Sequence, residues 1–250
     1  MTTQPAQPPV QPSAIVLPPR RNEGGNVVRR LKKGYRALRR AVGLRPVCKV
    51  LRLLKARGVK VDQMAGLELF GFTGELHTLD YVHRIGTLEV WEIDPSCEVD
   101  LKQNLPKARI KITDSVAELR ATTSTFDFIV VDNPTSTFGP YCEHFELIPD
   151  VFRVTRDGGI ILLNVIPRLS EKDRRSHPYL FSAEHLARRS AFYGTDRPEE
   201  VSFEKMVEVY GKLAASQGCT LNWWFTEQRH FVYYLVMSIG KVQSSSPAGA

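Results

Sequence analysis

The sequence predicts an α/β protein with a mostly parallel seven-stranded sheet, helices on both faces and a closing antiparallel hairpin. Three observations predict it. From Met64 onward, short apolar runs alternate with helix-patterned stretches, the signature of strands joined by crossover helices. A glycine turn, Gly71-Phe72-Thr73-Gly74, follows the first run, and the second run ends in acid at Glu92-Ile93-Asp94. The last two runs are separated only by the polar turn Glu227-Gln228-Arg229, so they form a hairpin.

The elements follow in order. Residues 1–26 are rich in Pro, Gln and Gly and read as a disordered tail. Val27, Val28, Leu31, Tyr35, Leu38 and Val42 recur at helical spacing, with basic residues from Arg29 to Arg40 between them, giving a basic amphipathic helix. A second helix starts near Pro46, which suits a first turn, and stops at Gly58. Strands are expected at 65–70, 87–93, 108–113, 126–132 and 158–165, then 219–226 and 230–239. Helices are expected near 75–84, 96–104, 115–121 and 143–155, and over 182–217 with a break near Gly194-Thr195-Asp196-Arg197-Pro198. The expected division is a tail (1–26), a basic helical arm (27–60), a ligand-binding body (61–241) and a disordered end (242–250).

At 250 residues and 42% hydrophobic content, the chain can bury one sizeable core. No run of 18 apolar residues marks a membrane span. The net charge of +7 is uneven. Residues 20–60 hold 15 Lys/Arg and one acid, and everything after residue 60 holds 19 Lys/Arg and 26 Asp/Glu, so a mildly acidic body carries a basic arm. Cys48, Cys97, Cys142 and Cys219 are scattered without a C-x-x-C pair, which favours free thiols in a reducing, cytoplasmic setting.

The turn and the acid point to a ligand. In an open α/β sheet, ligands sit beyond the carboxyl ends of the strands, where a glycine loop lets backbone approach them. Glu92 lies 18 residues after Gly74, close to the spacing at which an acid accepts hydrogen bonds from ribose hydroxyls. An adenosine-containing cofactor follows. A pyrophosphate would want a third glycine where Phe72 stands, and would be repelled by Glu68. A carboxylate there suits an ammonium group, which favours S-adenosylmethionine (SAM).

Glu68-Leu69-Phe70-Gly71-Phe72-Thr73-Gly74 resembles the D-L-F-x-G-[ST]-G turn of the Rossmann-like class I SAM-dependent methyltransferases, and Glu92-Ile93-Asp94-Pro95 is similar to their acid-tipped second strand. The likeness covers roughly residues 62–166, with a weaker one to spermidine synthases. It implies that Glu68 holds the methionine amino group, that Phe70, Gly71, Thr73 and Gly74 bring backbone to the cofactor, and that Glu92 and Ile93 hold the ribose. Asp114 and Ser115 would read the adenine; the pair equally suits a helix N-cap. Asp132-Asn133-Pro134 at the end of the fourth strand resembles the [DN]-P-P-[YF] motif of amino-methylating enzymes, but Thr135 and Ser136 replace its second proline and aromatic.

Asp132 and Asn133 are the first candidates for orienting or deprotonating a methyl acceptor. His144 is the second candidate base, because an imidazole titrates near neutral pH. Tyr141 and Glu143 lie in the same loop. No His, Cys and acid cluster has metal spacing. Three functions remain open at this stage: methyl transfer to a small-molecule acceptor, amino-methylation of RNA or another nucleic acid, and a non-catalytic SAM-fold binding module. The basic arm Arg29–Arg40 would serve RNA or an anionic surface.

Overall fold

The computed structural model describes Tyr35 and residues 43–132, 143–168, 170–229 and 231–242. Apart from Tyr35, the arm segment Arg29–Arg40, together with the tail 1–26, the end 243–250 and the candidate residues Asn133 and Tyr141, lies outside the described residues.

One seven-stranded sheet runs in the order β3-β2-β1-β4-β5-β7-β6. Its strands are β1 (Ala65–Leu69), β2 (Thr87–Glu92), β3 (Arg109–Ile112), β4 (Phe126–Val131), β5 (Thr155–Val165), β6 (Cys219–Arg229) and β7 (Val232–Lys241). The first five are mutually parallel. Only β7 runs against its neighbours, slotting between β5 and the edge strand β6. The α/β class, the parallel core and the closing antiparallel hairpin are as the sequence predicts. The hairpin itself is displaced, because β6 continues through Glu227-Gln228-Arg229 and the chain reverses only after Arg229.

Alternation along the central strands divides the core. Leu67, Leu69, Ile129, Val131, Ile161 and Leu163 face one side and pack against α4 (Ser115–Ala121), α5 (Ile148–Val154), α7 (Ala183–Tyr193) and α8 (Phe203–Ser216). Leu88, Val90, Phe128, Val130, Ile160 and Leu162 face the other, under α1 (Pro46–Ala56), α2 (Thr78–Tyr81) and α3 (Glu98–Asn104). Strands buried on both faces read as continuous apolar runs, which is why β4 and β5 were legible. A short helix, α6 (Glu171–Ser176), opens on a Ser170–Asp173 capping box that the sequence pattern did not lead us to expect.

Two expectations are corrected. Helix α1 does not belong to a separate arm: Val47, Val50, Leu51 and Leu54 are buried in the same core as Tyr81, Phe128 and Tyr234. Arg45, at its start, also ties it to α2 through Asp80, with Nε 2.7 Å from Oδ2. The helix expected over 75–84 shrinks to Thr78–Tyr81. Its side chains are recruited to tertiary partners instead: Thr78 and Tyr81 donate to the buried Glu68, and Asp80 pairs with Arg45. Cys48, Cys97 and Cys219 are free, buried thiols.

Candidate active site at the strand ends

The carboxyl ends of β1, β2 and β4 bring most of the sequence-predicted residues to one edge of the sheet. The turn after β1 is a tight backbone loop, with Gly74 N–H donating to Gly71 C=O at 2.8 Å. Gly71 is pressed against β2: a Cβ there would lie 2.2 Å from Val90 Cγ1, so only glycine lets the turn approach so closely. Gly74 adopts φ +71°, and α3 secures the turn where Asn104 Nδ2 donates to Thr73 C=O at 2.8 Å. Phe70 (φ +65°) and Phe72 (φ +50°) take the left-handed region although neither is glycine. Such strain is held only where surrounding structure fixes it, and it clusters at ligand sites.

Glu92 fixes Phe72. Its Oε2 accepts from Phe72 N–H at 2.5 Å and its Oε1 from Asp94 N–H at 2.9 Å. Burial raises its pKa, and those backbone donors partly offset the rise. Each carboxylate oxygen has further acceptor capacity, so the acid remains able to receive hydroxyls. Beside it Ile93 is 42% exposed, an uncovered apolar surface at the strand end. Asp94 caps the next turn through Ser96 N–H at 2.8 Å. Asp114 caps α4 from one oxygen, accepting from Val116 N–H at 2.8 Å, while Ser115 is buried.

Glu68 points to the opposite face from Leu67 and Leu69 and is fully buried. Thr78 Oγ1 donates to Oε1 at 2.7 Å and Tyr81 OH to Oε2 at 2.5 Å. The imidazole of His77 is wedged between this acid and Asp132, with Nε2 2.5 Å from Glu68 Oε1 and Nδ1 3.2 Å from Asp132 Oδ2. Neither ring nitrogen meets hydrogen-bond geometry, so the contacts act first as charge attraction. Burial alone would lower the His77 pKa; Asp132 and Glu68 together outweigh it and the pKa is raised.

Asp132 is equally enclosed. It accepts from Arg229 Nη1 at 2.5 Å, from Tyr234 OH at 2.9 Å and from Asn164 Nδ2. Burial would raise its pKa, but His77 and Arg229 hold it at about 2. Glu68, His77, Asp132 and the half-buried Arg229 thus alternate acid and base across β1, β4 and β6. Sequence reasoning missed His77, Asn164, Arg229 and Tyr234. Only Asn164, a polar residue closing the run Ile160-Ile161-Leu162-Leu163, left a local signal.

His144 stacks on Phe70, with centroids 4.2 Å apart and planes at 19°. Burial, helped by nearby Arg188, lowers its pKa to about 3. Its neighbour Glu143 turns away from the strand ends into a second buried cluster. There Arg189 Nη1 donates to Oε2, and Tyr193 OH to Oε1 at 3.1 Å. Arg189 also donates to the carbonyls of Pro198 and Ile166 at 2.6 and 2.7 Å, tying α7 to the chain after β5. Between the two clusters lies a cavity of about 10 Å³, room for one water, lined by Glu143, His144, Asn164 and Tyr210. Asn164 Oδ1 has no hydrogen-bond partner among the described residues.

No family model matches the sequence, and no curated protein does. Solved structures with a similar chain path include three methyltransferases. Magnesium protoporphyrin IX methyltransferase from Synechocystis PCC 6803 shares 10% identity, with a TM-score of 0.49 over 77% of this chain and 80% of that one. The N-methyltransferase NodS from Bradyrhizobium japonicum WM9 shares 16%, with a TM-score of 0.47 over 77% and 84%. An O-methyltransferase family protein from Burkholderia thailandensis shares 12%, with a TM-score of 0.46 over 76% of this chain but only 57% of its own length. At these identities the likeness is one of chain path, and the chemistry has to be argued from the residues of the strand ends.

Proposed function

We propose that this chain is a SAM-dependent methyltransferase. The observation that carries the reading is the join between the Gly71–Gly74 turn and Glu92, made by the Phe72 N–H at 2.5 Å. That join places an acid with spare acceptor capacity beside the backbone of the turn, at the carboxyl edge of a parallel sheet closed by an antiparallel strand. The adenosine end of SAM fits what is present. Glu92 would accept the ribose hydroxyls, Ile93 would cover one face of the adenine, and Asp114 and Ser115 would border it. The methionine end fits differently from the resemblance, because Glu68 is sealed under Thr78, Tyr81 and His77. We assign Glu68 to holding the residues after the turn in place, with no direct contact to the ammonium.

When bound, SAM supplies a methyl carbon on a sulfonium, open to in-line attack by a nucleophile. The chain's contribution is then placement. Asp132 is ionised and saturated with donors, so it positions β4 and Asn164 and takes no proton from an acceptor near neutral pH. His144, with its pKa near 3, is neutral and weakly basic; its stacking on Phe70 makes it a wall of the site. Holding an acceptor at attack distance accounts for large rate factors without a general base. Asn164 Oδ1, buried and without a partner among the described residues, borders a cavity with room for one water and would reach an acceptor only through that water; Asn133 is the other candidate to accept a hydrogen bond from an acceptor's amine or hydroxyl. A small-molecule acceptor is the first reading.

Calorimetry with SAM and with S-adenosylhomocysteine tests the cofactor assignment. Micromolar binding is expected, and no heat at millimolar ligand would sink it. A screen of acceptors with methyl-labelled SAM then tests transfer.

A further inference from the structure

A second site lies at the opposite edge of the sheet. The end of α1, the segment 58–63 leading into β1, and Arg84 ahead of β2 enclose an open groove of about 780 Å³. Its floor is aliphatic, with Leu51 and Val61 buried. Four cations rim it: Arg52, Lys55, Lys60 and Arg84, all exposed. None of the four has a carboxylate within salt-bridge distance among the described residues, and Asp62 is the single acid in the lining. Cations left unpaired on a body whose charge is otherwise acidic make a local positive field rather than a solvated mixed surface.

At the C-cap of α1, on the flank that faces β6, Arg57 meets an aromatic shelf. Trp223 and Phe225 of the edge strand β6 stack with centroids 6.1 Å apart and planes at 17°. The Arg57 guanidinium at the end of α1 lies over both rings, 5.5 Å from Trp223 and 4.5 Å from Phe225. A positive groove for phosphates on one flank of α1, with aromatic and guanidinium planes for bases at its C-cap, supplies the two elements that bind single-stranded nucleic acid. A membrane surface would meet a convex basic or apolar face, whereas this one is concave.

We propose that this groove and shelf bind single-stranded nucleic acid, with Arg52, Lys55, Lys60 and Arg84 on phosphates and the Arg57–Trp223–Phe225 stack against bases. The five residues of β1 separate the groove from the turn by roughly 16 Å, so this is a docking site distinct from the strand-end site. It does not depend on methyl transfer.

The test is fluorescence anisotropy of the full chain with a labelled twelve-residue oligouridylate, without SAM, across 50–200 mM salt. Binding should weaken as salt rises, with a log–log slope of about −0.7 for each phosphate contact. The double variant Arg52→Gln/Lys55→Gln should bind at least about tenfold more weakly and lose about 1.4 of that slope. Arg57→Gln should weaken affinity with a smaller change in slope. Circular dichroism melts verify that each variant folds, and both positions are exposed helix sites. Unchanged affinity in the folded double variant, with its basic arm intact, would overturn the groove. So would stronger binding to phosphatidylserine vesicles than to the oligonucleotide. S-adenosylhomocysteine calorimetry on the same samples reports separately on the strand-end site, so failure of one assignment leaves the other standing.

Discussion

Glu92 and Gly71 bear most directly on the cofactor assignment because each has one geometric task. Glu92 joins backbone turn to strand tip and keeps acceptor capacity for a ligand. Glu92→Gln preserves shape but replaces one acceptor oxygen with a donor facing another donor. We expect S-adenosylhomocysteine affinity to fall about tenfold or more, with at most about 2 kcal/mol lost in urea denaturation. An unchanged dissociation constant in calorimetry would remove Glu92 from the site. Gly71 is a packing requirement. The Cβ of Gly71→Ala would sit 2.2 Å from Val90 Cγ1, and overpacking of this kind costs about 1–3 kcal/mol. Val90→Ala removes the offending methyl, so the double variant should recover much of the Gly71→Ala loss. Additive losses in a double-mutant cycle would show that the clash is not what makes this position glycine.

The elements behave as a charge-stitched edge more than as independent strands. The ends of β1, β4 and β6 are joined by Glu68, His77, Asp132 and Arg229, a chain balanced only while His77 is protonated. Since the folded pKa of His77 lies above its ordinary value of 6.5, its stabilisation is fully present below 6.5 and lost as pH rises through the folded value. Urea denaturation should therefore show stability declining on the alkaline side, and His77→Gln should flatten that decline. A parallel decline in the variant would place the titration elsewhere. This edge also shows where sequence reading stops. Glu68, Glu92 and Asp132 were legible because the first interrupts an apolar run and the other two close one. Their partners were not, because Arg229 meets Asp132 across 97 positions and no local pattern marks the pairing. The shortened α2 fails for the same reason: propensity favours a longer helix, while side-chain bonds to Glu68 and Arg45 hold the segment otherwise.

For the whole molecule, the strands and the mostly parallel sheet were readable because alternation and doubly buried strands are local properties that survive without tertiary knowledge; the order of the strands in the sheet comes from the structure. Placement of α1 was not, since a basic amphipathic helix looks the same whether it is an arm or a core element until its apolar face is seen packed. The buried charges add a property of the entire chain, its pH range. His144 and His185 have pKa values pushed down to about 3 and about 4, in both cases first by burial and then by neighbouring arginines. A histidine whose folded pKa is depressed stabilises the protein above 6.5 and costs it as pH falls, because the unfolded chain binds the proton first. Two such groups steepen the acid limb by at most about 2.7 kcal/mol per pH unit between 6.5 and 4. Asp132, held at about 2 against an ordinary 3.8, extends that loss below pH 4. With the alkaline limb set by His77, stability should peak near neutral pH and fall on both sides. Chemical denaturation from pH 4 to 10 would trace this dome. His185→Gln should make the acid limb shallower by about one proton while leaving the alkaline limb untouched, and an acid limb of unchanged slope would exclude His185 as its source.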